Sequence, residues 1–190
     1  GANVWVSDIR PETKEQVESL GGKFIEVEAD NSIKTEGGYV KGVSDDFLKK
    51  QQQVVAEKLA IADLVITTAL IPGKKAPVLI SDQMLSNMKQ GAVIVDMAVA
   101  QGGNCSASEL NQIVIKNGIK IIGEGNLPGT MAINASELFA KNIHNFLIHL
   151  TNEGQFNWDM EDEITKGSLM VKGGNIVQDY LKEVLSTQAV

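Results

Sequence analysis

Three short stretches hold residues whose type and spacing could do chemistry. The first is Asp8, which ends the run Asn3-Val4-Trp5-Val6-Ser7 and is followed by Ile9 and Arg10. A carboxylate at the end of a strand can accept hydrogen bonds from the vicinal diol of a ribose, and it repels a phosphate carried on that diol. It can equally cap the helix that follows. The other two stretches are Thr67-Thr68-Ala69-Leu70-Ile71-Pro72-Gly73 and Asp96-Met97-Ala98-Val99-Ala100-Gln101-Gly102-Gly103-Asn104, which set small side chains and glycines after two further apolar runs. Glycines let backbone approach a ligand closely, but turns favour glycine and proline for conformational reasons alone.

The remaining reactive side chains point away from catalysis. His144 and His149 fall in an amphipathic helical pattern and read as packing or surface groups. Cys105 has no visible basic neighbour to lower its pKa, so it reads as a small buried residue and not a nucleophile. Asp159, Glu161, Asp162 and Glu163 lack ligand-like spacing with histidine or further carboxylates. They read as solvated surface or a helix start, and no metal is expected.

Strand ends need a sheet to hold them, and the hydrophobic pattern supplies one. Residues 3–8 read as a strand, followed by a helix opened by Arg10-Pro11, with Val17 and Leu20 on one face and Gly21-Gly22 as its stop. Residues 24–27 form a second strand. Residues 28–44 are polar, with Gly37, Gly38 and Gly42 around a lone Tyr39, and predict a long loop. A helix is expected over 45–60, strands over 64–68, 93–96, 113–115 and 119–122, and a short helix over 82–88. Apolar β-branched runs alternating with helices predict a parallel sheet covered on both faces.

The spacing of Leu138, Phe139, Asn142, Ile143, Phe146, Leu147 and Leu150 predicts a helix over 135–150, capped by Asn134 or Ser136. Beyond it come a hairpin around Lys172-Gly173-Gly174 and a terminal helix over 180–185. The fold class is α/β, a doubly wound parallel sheet (Rossmann-like), represented by its C-terminal portion, with a long helix and a small C-terminal annex. No glycine-rich phosphate loop precedes Asp8. If Asp8 is a ribose ligand, residues 1–134 are expected to be a partial domain lacking its first strand and phosphate loop, and residues 135–190 a connecting helix and annex that would pack on a missing N-terminal domain.

Composition narrows the partners. Of 190 residues, 43% are hydrophobic and 22% charged, the balance of a globular chain. A net charge of −7 gives no footprint for nucleic acid or an anionic bilayer. The single cysteine cannot form an internal disulfide, which suits a reducing, cytoplasmic setting. No apolar run approaches the ~20 residues of a membrane-spanning helix.

The runs VSDIRPETKEQVESLGGKF, GGYVKGVSDDFLKKQ, ITTALIPGKKAPVLI and MKQGAVIVDMAVAQGGN, together with residues 126–142, resemble the NAD(H)-binding domain of proton-translocating nicotinamide nucleotide transhydrogenase. The similarity covers nearly the whole chain. ALIPG and KAPVLI are shared with alanine dehydrogenase, whereas Gly37-Gly38-Tyr39 and Met160-Glu161-Asp162-Glu163 favour transhydrogenase.

The resemblance implies NAD(H) as cofactor, with adenosine-ribose contacts at Asp8, Ile9 and Arg10, a mobile-loop contact at Gly38 and Tyr39, and further contacts at Gln51, Thr68, Ala69 and Leu70. It also implies a partner subunit holding NADP(H), hydride passing directly between the nicotinamides, a membrane subunit that moves a proton, and a homodimer. The place implied is peripheral to the inner membrane through those partners, on its cytoplasmic side or, in a mitochondrion, its matrix side. The family's phosphate-binding glycines and its Arg/Gln/Asp nicotinamide loop are expected before Gly1, so no catalytic residue is assigned. Alanine dehydrogenases typically carry an Asp where this chain has Ala100, and amine oxidation needs acid/base groups that hydride exchange between nicotinamides does not. A third reading is a folding or interaction fragment without catalysis of its own.

Overall fold

The computed structural model describes residues 1–10, 12–27, 34–36, 39–41, 45–71 and 73–188, with the backbone alone described at 34–36, 39–41, 45–48, 180, 183, 187 and 188. The chain divides into two compact units, Gly1–Leu127 and Pro128–Val190.

The first unit opens as a βαβ layer. Strand β1 (Trp5–Val6), helix α1 (Thr13–Ser19) and strand β2 (Lys23–Phe24) follow in order, and β1 pairs with β2 in parallel. Helix α1 stops where Gly21 takes a φ of +80° and the Gly22 N–H returns to the Val17 carbonyl at 3.0 Å. Leu20, expected beside Val17, instead leaves the helix as its C-cap and is 88% exposed. The stretch expected as loop holds an antiparallel ribbon, β3 (Lys34–Glu36) and β4 (Tyr39–Lys41), in which Lys34 faces Lys41 and Glu36 faces Tyr39. Apolar periodicity misses such a ribbon because backbone pairing, and not a greasy face, defines it.

Helix α2 (Asp45–Leu59) joins this layer to the main sheet. Its Lys58 ammonium lies 4.0 Å from the centre of the Trp5 ring, while Val55 and Leu59 pack into the core. The main sheet then runs through β5 (Leu64–Thr67), helix α3 (Asp82–Ser86), β6 (Val93–Asp96), a 3₁₀ turn (Val99–Gln101), β7 (Gln112–Lys116) and β8 (Ile119–Gly123), in spatial order β5-β6-β8-β7. Strands β5, β6 and β8 are parallel.

Strand β7 departs from the all-parallel expectation and lies antiparallel to β8. The reason is Asn117-Gly118, whose φ angles of 53° and 75° close a tight hairpin of the kind that matches strand twist. Ile80, Leu85, Ile94, Cys105, Ile119 and Ile121 form the buried centre. Alternation sends Leu64, Ile66, Ile113 and Ile115 to the opposite face, where each stays exposed.

The second unit contains α4 (Leu127–Thr130) at the division, then α5 (Ala132–His149), β9 (Thr151–Asn152), β10 (Gln155–Phe156), α6 (Glu163–Ser168), β11 (Val171–Lys172), β12 (Asn175–Ile176) and α7 (Asp179–Gln188). Helix α5 starts earlier than its polar residues indicate. Met131 is the N-cap and makes no side-chain capping bond, so Asn134 and Ser136 lie inside the helix. The hairpin β11–β12 turns through Gly173-Gly174 as expected. A second hairpin, β9–β10, turns through Glu153-Gly154, a pair whose first member is not a turn-former by type.

Candidate functional site

Asp8 lies one residue beyond Ser7 at the exit of β1 and is half-buried. It does not cap α1, which begins at Thr13 with Glu12 as N-cap. It instead holds a local bend. Oδ1 accepts from the Arg10 backbone N–H at 2.8 Å and from Nε at 3.0 Å, and Oδ2 accepts from Nη2 at 2.8 Å. Burial pushes the Asp8 carboxyl pKa up, and the hydrogen bonds and charge of Arg10 outweigh that and bring it below the ordinary value.

An ionised carboxylate offers about four acceptor positions, and with three bonds from Arg10 and a further one from the Ile9 N–H a ligand gains room only by displacing a donor. A diol bound by both hydroxyls must displace one arm of Arg10. Gln51, from α2, reaches the same strand end, where its Nε2 donates to Ser7 Oγ at 3.4 Å. Ile9 lies between Asp8 and Arg10 and is half-buried. Gly38 lies outside the described residues. Tyr39 opens β4, and its backbone pairs with Glu36.

The ends of β5 and β6 are built around a residue to which sequence reasoning gave no role of its own, the first of its stretch. Asp96 is fully buried and accepts hydrogen bonds from Thr67 Oγ1 (3.2 Å), Ala98 N–H (3.0 Å), Asn104 N–H (2.8 Å), Cys105 N–H (2.9 Å) and Ser108 Oγ (2.7 Å). This folds residues 97–108 around one carboxylate. Gly103 permits it: its φ is +80°, and a Cβ there would meet Asp96 Oδ2 at 2.9 Å. The glycine pair is therefore needed for the turn itself, and an Asp closing an apolar strand with Gly-Gly-Asn six to eight residues on is the signal that could have revealed it.

Asn104, also fully buried, carries the order across to the β5 loop. Its Oδ1 accepts from the Ala69 N–H at 2.9 Å, and its Nδ2 donates to the carbonyls of Ala69 (2.9 Å) and Pro77 (2.8 Å). Of the three β5 candidates, Thr68 and Leu70 are exposed, whereas Ala69 is half-buried with its N–H committed to Asn104.

Cys105 belongs to the core, and burial pushes its thiol pKa up, which suppresses nucleophilic thiolate. Ala100 is exposed on the 3₁₀ turn and offers no acid at that position. His149 lies in the second unit, where its Nε2 contacts Asp162 Oδ2 at 2.8 Å. Asp162 is the N-cap of α6 and accepts from the Thr165 N–H at 2.7 Å, so the helix-start reading of the acidic cluster holds there. Among the described residues no group of His, Cys, Asp and Glu is arranged to hold a metal ion, and no helix is long and apolar enough to cross a membrane.

A βαβ entry, parallel strands β5, β6 and β8, and polar residues gathered at their carboxyl ends define a doubly wound, Rossmann-like α/β domain. The family model "Alanine dehydrogenase/PNT, C-terminal domain" matches residues 1–179, and the chain belongs to that family. It is 49% identical over 185 residues to the first part of NAD(P) transhydrogenase subunit alpha of Rhodospirillum rubrum, across 95% of this chain and 48% of that protein. The crystal structure of transhydrogenase from Sinorhizobium meliloti is similar with a TM-score of 0.70 and 41% identity, over 93% of this chain and 46% of that one. Alanine dehydrogenase of Lysinibacillus sphaericus is 26% identical over 188 residues, covering 96% of this chain and 45% of that protein. The chain spans about half the length of these relatives.

Proposed function

We propose that this chain is the NAD(H)-binding part of a transhydrogenase alpha subunit. The observation that carries the reading is the 49% identity to the Rhodospirillum rubrum transhydrogenase subunit, against 26% to the alanine dehydrogenase. Ala100 supports it, because acid/base amine chemistry has no group there, whereas hydride exchange between two nicotinamides asks for orientation and exclusion of water.

The residues present suit the adenosine side of the cofactor. Asp8 would accept from a ribose hydroxyl by exchanging an arm of Arg10 for it, Ile9 and Arg10 flank it, and Gln51 stands at the same strand end. Thr68 and Leu70 present exposed side chains after β5, with Ala69 between them. Gly38 and Tyr39 would close over the nucleotide. The bound nicotinamide supplies or accepts the hydride, and this chain holds and orients the nucleotide so that its reacting face meets NADP(H) on the partner subunit.

The assembly is a homodimer on the cytoplasmic or matrix side of a membrane whose own subunit moves the proton. The full-length protein, mixed with its NADP(H)-binding partner, is expected to reduce an NADP analogue from NADH and to show no alanine-dependent reduction of NAD. Alanine turnover at an ordinary enzyme rate reverses the assignment.

A further inference from the structure

Asn104 is fully buried, and each of its polar groups is engaged by scaffold. Its N–H donates to Asp96 Oδ2 at 2.8 Å, and its carbonyl accepts from the Leu79 and Ile80 N–H groups at 2.8 and 2.9 Å. Its side-chain amide grips the Ala69 N–H, the Ala69 carbonyl and the Pro77 carbonyl. Ala76 N–H to the Gln101 carbonyl at 2.8 Å and Ser106 N–H to the Ile80 carbonyl at 2.9 Å tie the same two loops on either side. Met97 N–H adds a bond to the Thr67 carbonyl at 2.9 Å, next to the turn.

A side chain so placed has nothing left to offer a ligand, but it fixes the N–H and the carbonyl of Ala69, one from each of the two peptide units that join Ala69 to Thr68 and to Leu70. We infer that Asn104, oriented by Asp96, is a positioning residue that sets nucleotide affinity by holding the Thr68-Ala69-Leu70 turn in its binding conformation, and that the Ala69 N–H makes no bond to the nucleotide. The inference rests on the NAD(H) reading above. A turn already fixed avoids the entropy of ordering it on binding. A turn released from Asn104 spends only part of its time competent, and apparent affinity falls by that fraction.

The test is NADH titration of the full-length protein, followed by nicotinamide fluorescence, with the number of binding sites counted. Asn104→Ala is expected to raise the Kd by about tenfold, the equivalent of one or two net hydrogen bonds, with the number of sites unchanged. Amide exchange should quicken at Ala69 while β6 and β8 keep their protection. A purely structural role gives the opposite split, fewer competent sites with parental Kd in those that remain, and overturns the proposal. Should Asn104→Ala fail to fold, Asn104→Ser retains a hydroxyl partner for the turn and is expected to raise the Kd in the same direction by less. A parent protein that binds no NADH removes the cofactor reading and this inference with it. A parent that binds, with the folded variant within about twofold of it, overturns the positioning role alone.

Discussion

Asp8 follows β1 and Asp96 ends β6, two carboxylates at the carboxyl ends of parallel strands. Asp96 is fully buried and saturated by donors from Thr67, Ala98, Asn104, Cys105 and Ser108. Asp8 is half-buried and answers only to donors of its own turn, Arg10 and the Ile9 N–H. Residue type is the same and each stands at a strand's carboxyl end, Asp8 beyond the two-stranded β1–β2 pair and Asp96 within the four-stranded sheet. Exposure, and donors that a ligand could displace, separate a ligand-facing carboxylate from one that builds the floor under the site.

The largest expected effect tests the buried member. Asp96→Ala strands several buried donors at once, and such losses lie at the severe end of single substitutions, about 4 kcal/mol. For a chain of this size that lowers Tm by about 10 °C, measured by circular dichroism. A fall of under about 3 °C would mean the loops hold without their carboxylate, and the contrast with Asp8 would collapse.

The exposed member should behave the other way round. Asp8→Asn removes a partly exposed pair with Arg10, which contributes about 0–1 kcal/mol, so Tm should move by no more than about 3 °C. Its effect belongs in cofactor choice. The full-length protein is expected to lose about tenfold of its preference for NADH over NADPH, measured by paired titrations. Arg10, turned onto Asp8, limits the parental preference because a 2′-phosphate meets a pair and not a lone negative charge. Unchanged discrimination in Asp8→Asn removes Asp8 from the ribose.

Much of this was legible in the sequence where a residue's neighbours in the chain were also its neighbours in space. The β1-α1-β2 entry, α2, β5, α3, β6 and the Gly173-Gly174 hairpin follow local pattern and turn chemistry. The misses share a cause. The direction of β7 depended on weighing Asn117-Gly118 above the apolar runs on either side of it, and the ribbon β3–β4 has no apolar alternation to betray it. The role of Asn104 was invisible because it reaches across 35 residues to Ala69, and nothing local to either residue announces that bond. Gly102-Gly103 leaves ligand access and turn chemistry both open in the sequence, because the carboxylate of Asp96 beneath Gly103 is a contact between residues seven apart.

The smallest expected effect concerns a third aspartate, which sharpens the comparison because its donors are few and its surroundings open. Asp162 accepts from His149 Nε2 and from the Thr165 N–H, and these bonds hold its pKa at about 2, below the usual 3.8. A depressed carboxyl pKa contributes stability that is complete above the unfolded value and lost as pH falls through the folded one. The window is therefore from about pH 4 down to about pH 2. Thr165 also lines a pocket of about 160 Å³ with Phe146, Leu150, Trp158, Ser168 and Leu169. Losing the Asp162 charge should thus loosen the wall around Trp158. In a Trp5→Phe background Trp158 is the sole tryptophan, and its emission should titrate across this window. Asp162→Asn keeps a side chain able to cap α6 while removing the charge, so the same emission should stay flat from pH 4 to pH 2. An identical acid profile in the two proteins would place the titrating group elsewhere and leave Asp162 as a cap whose charge does no work.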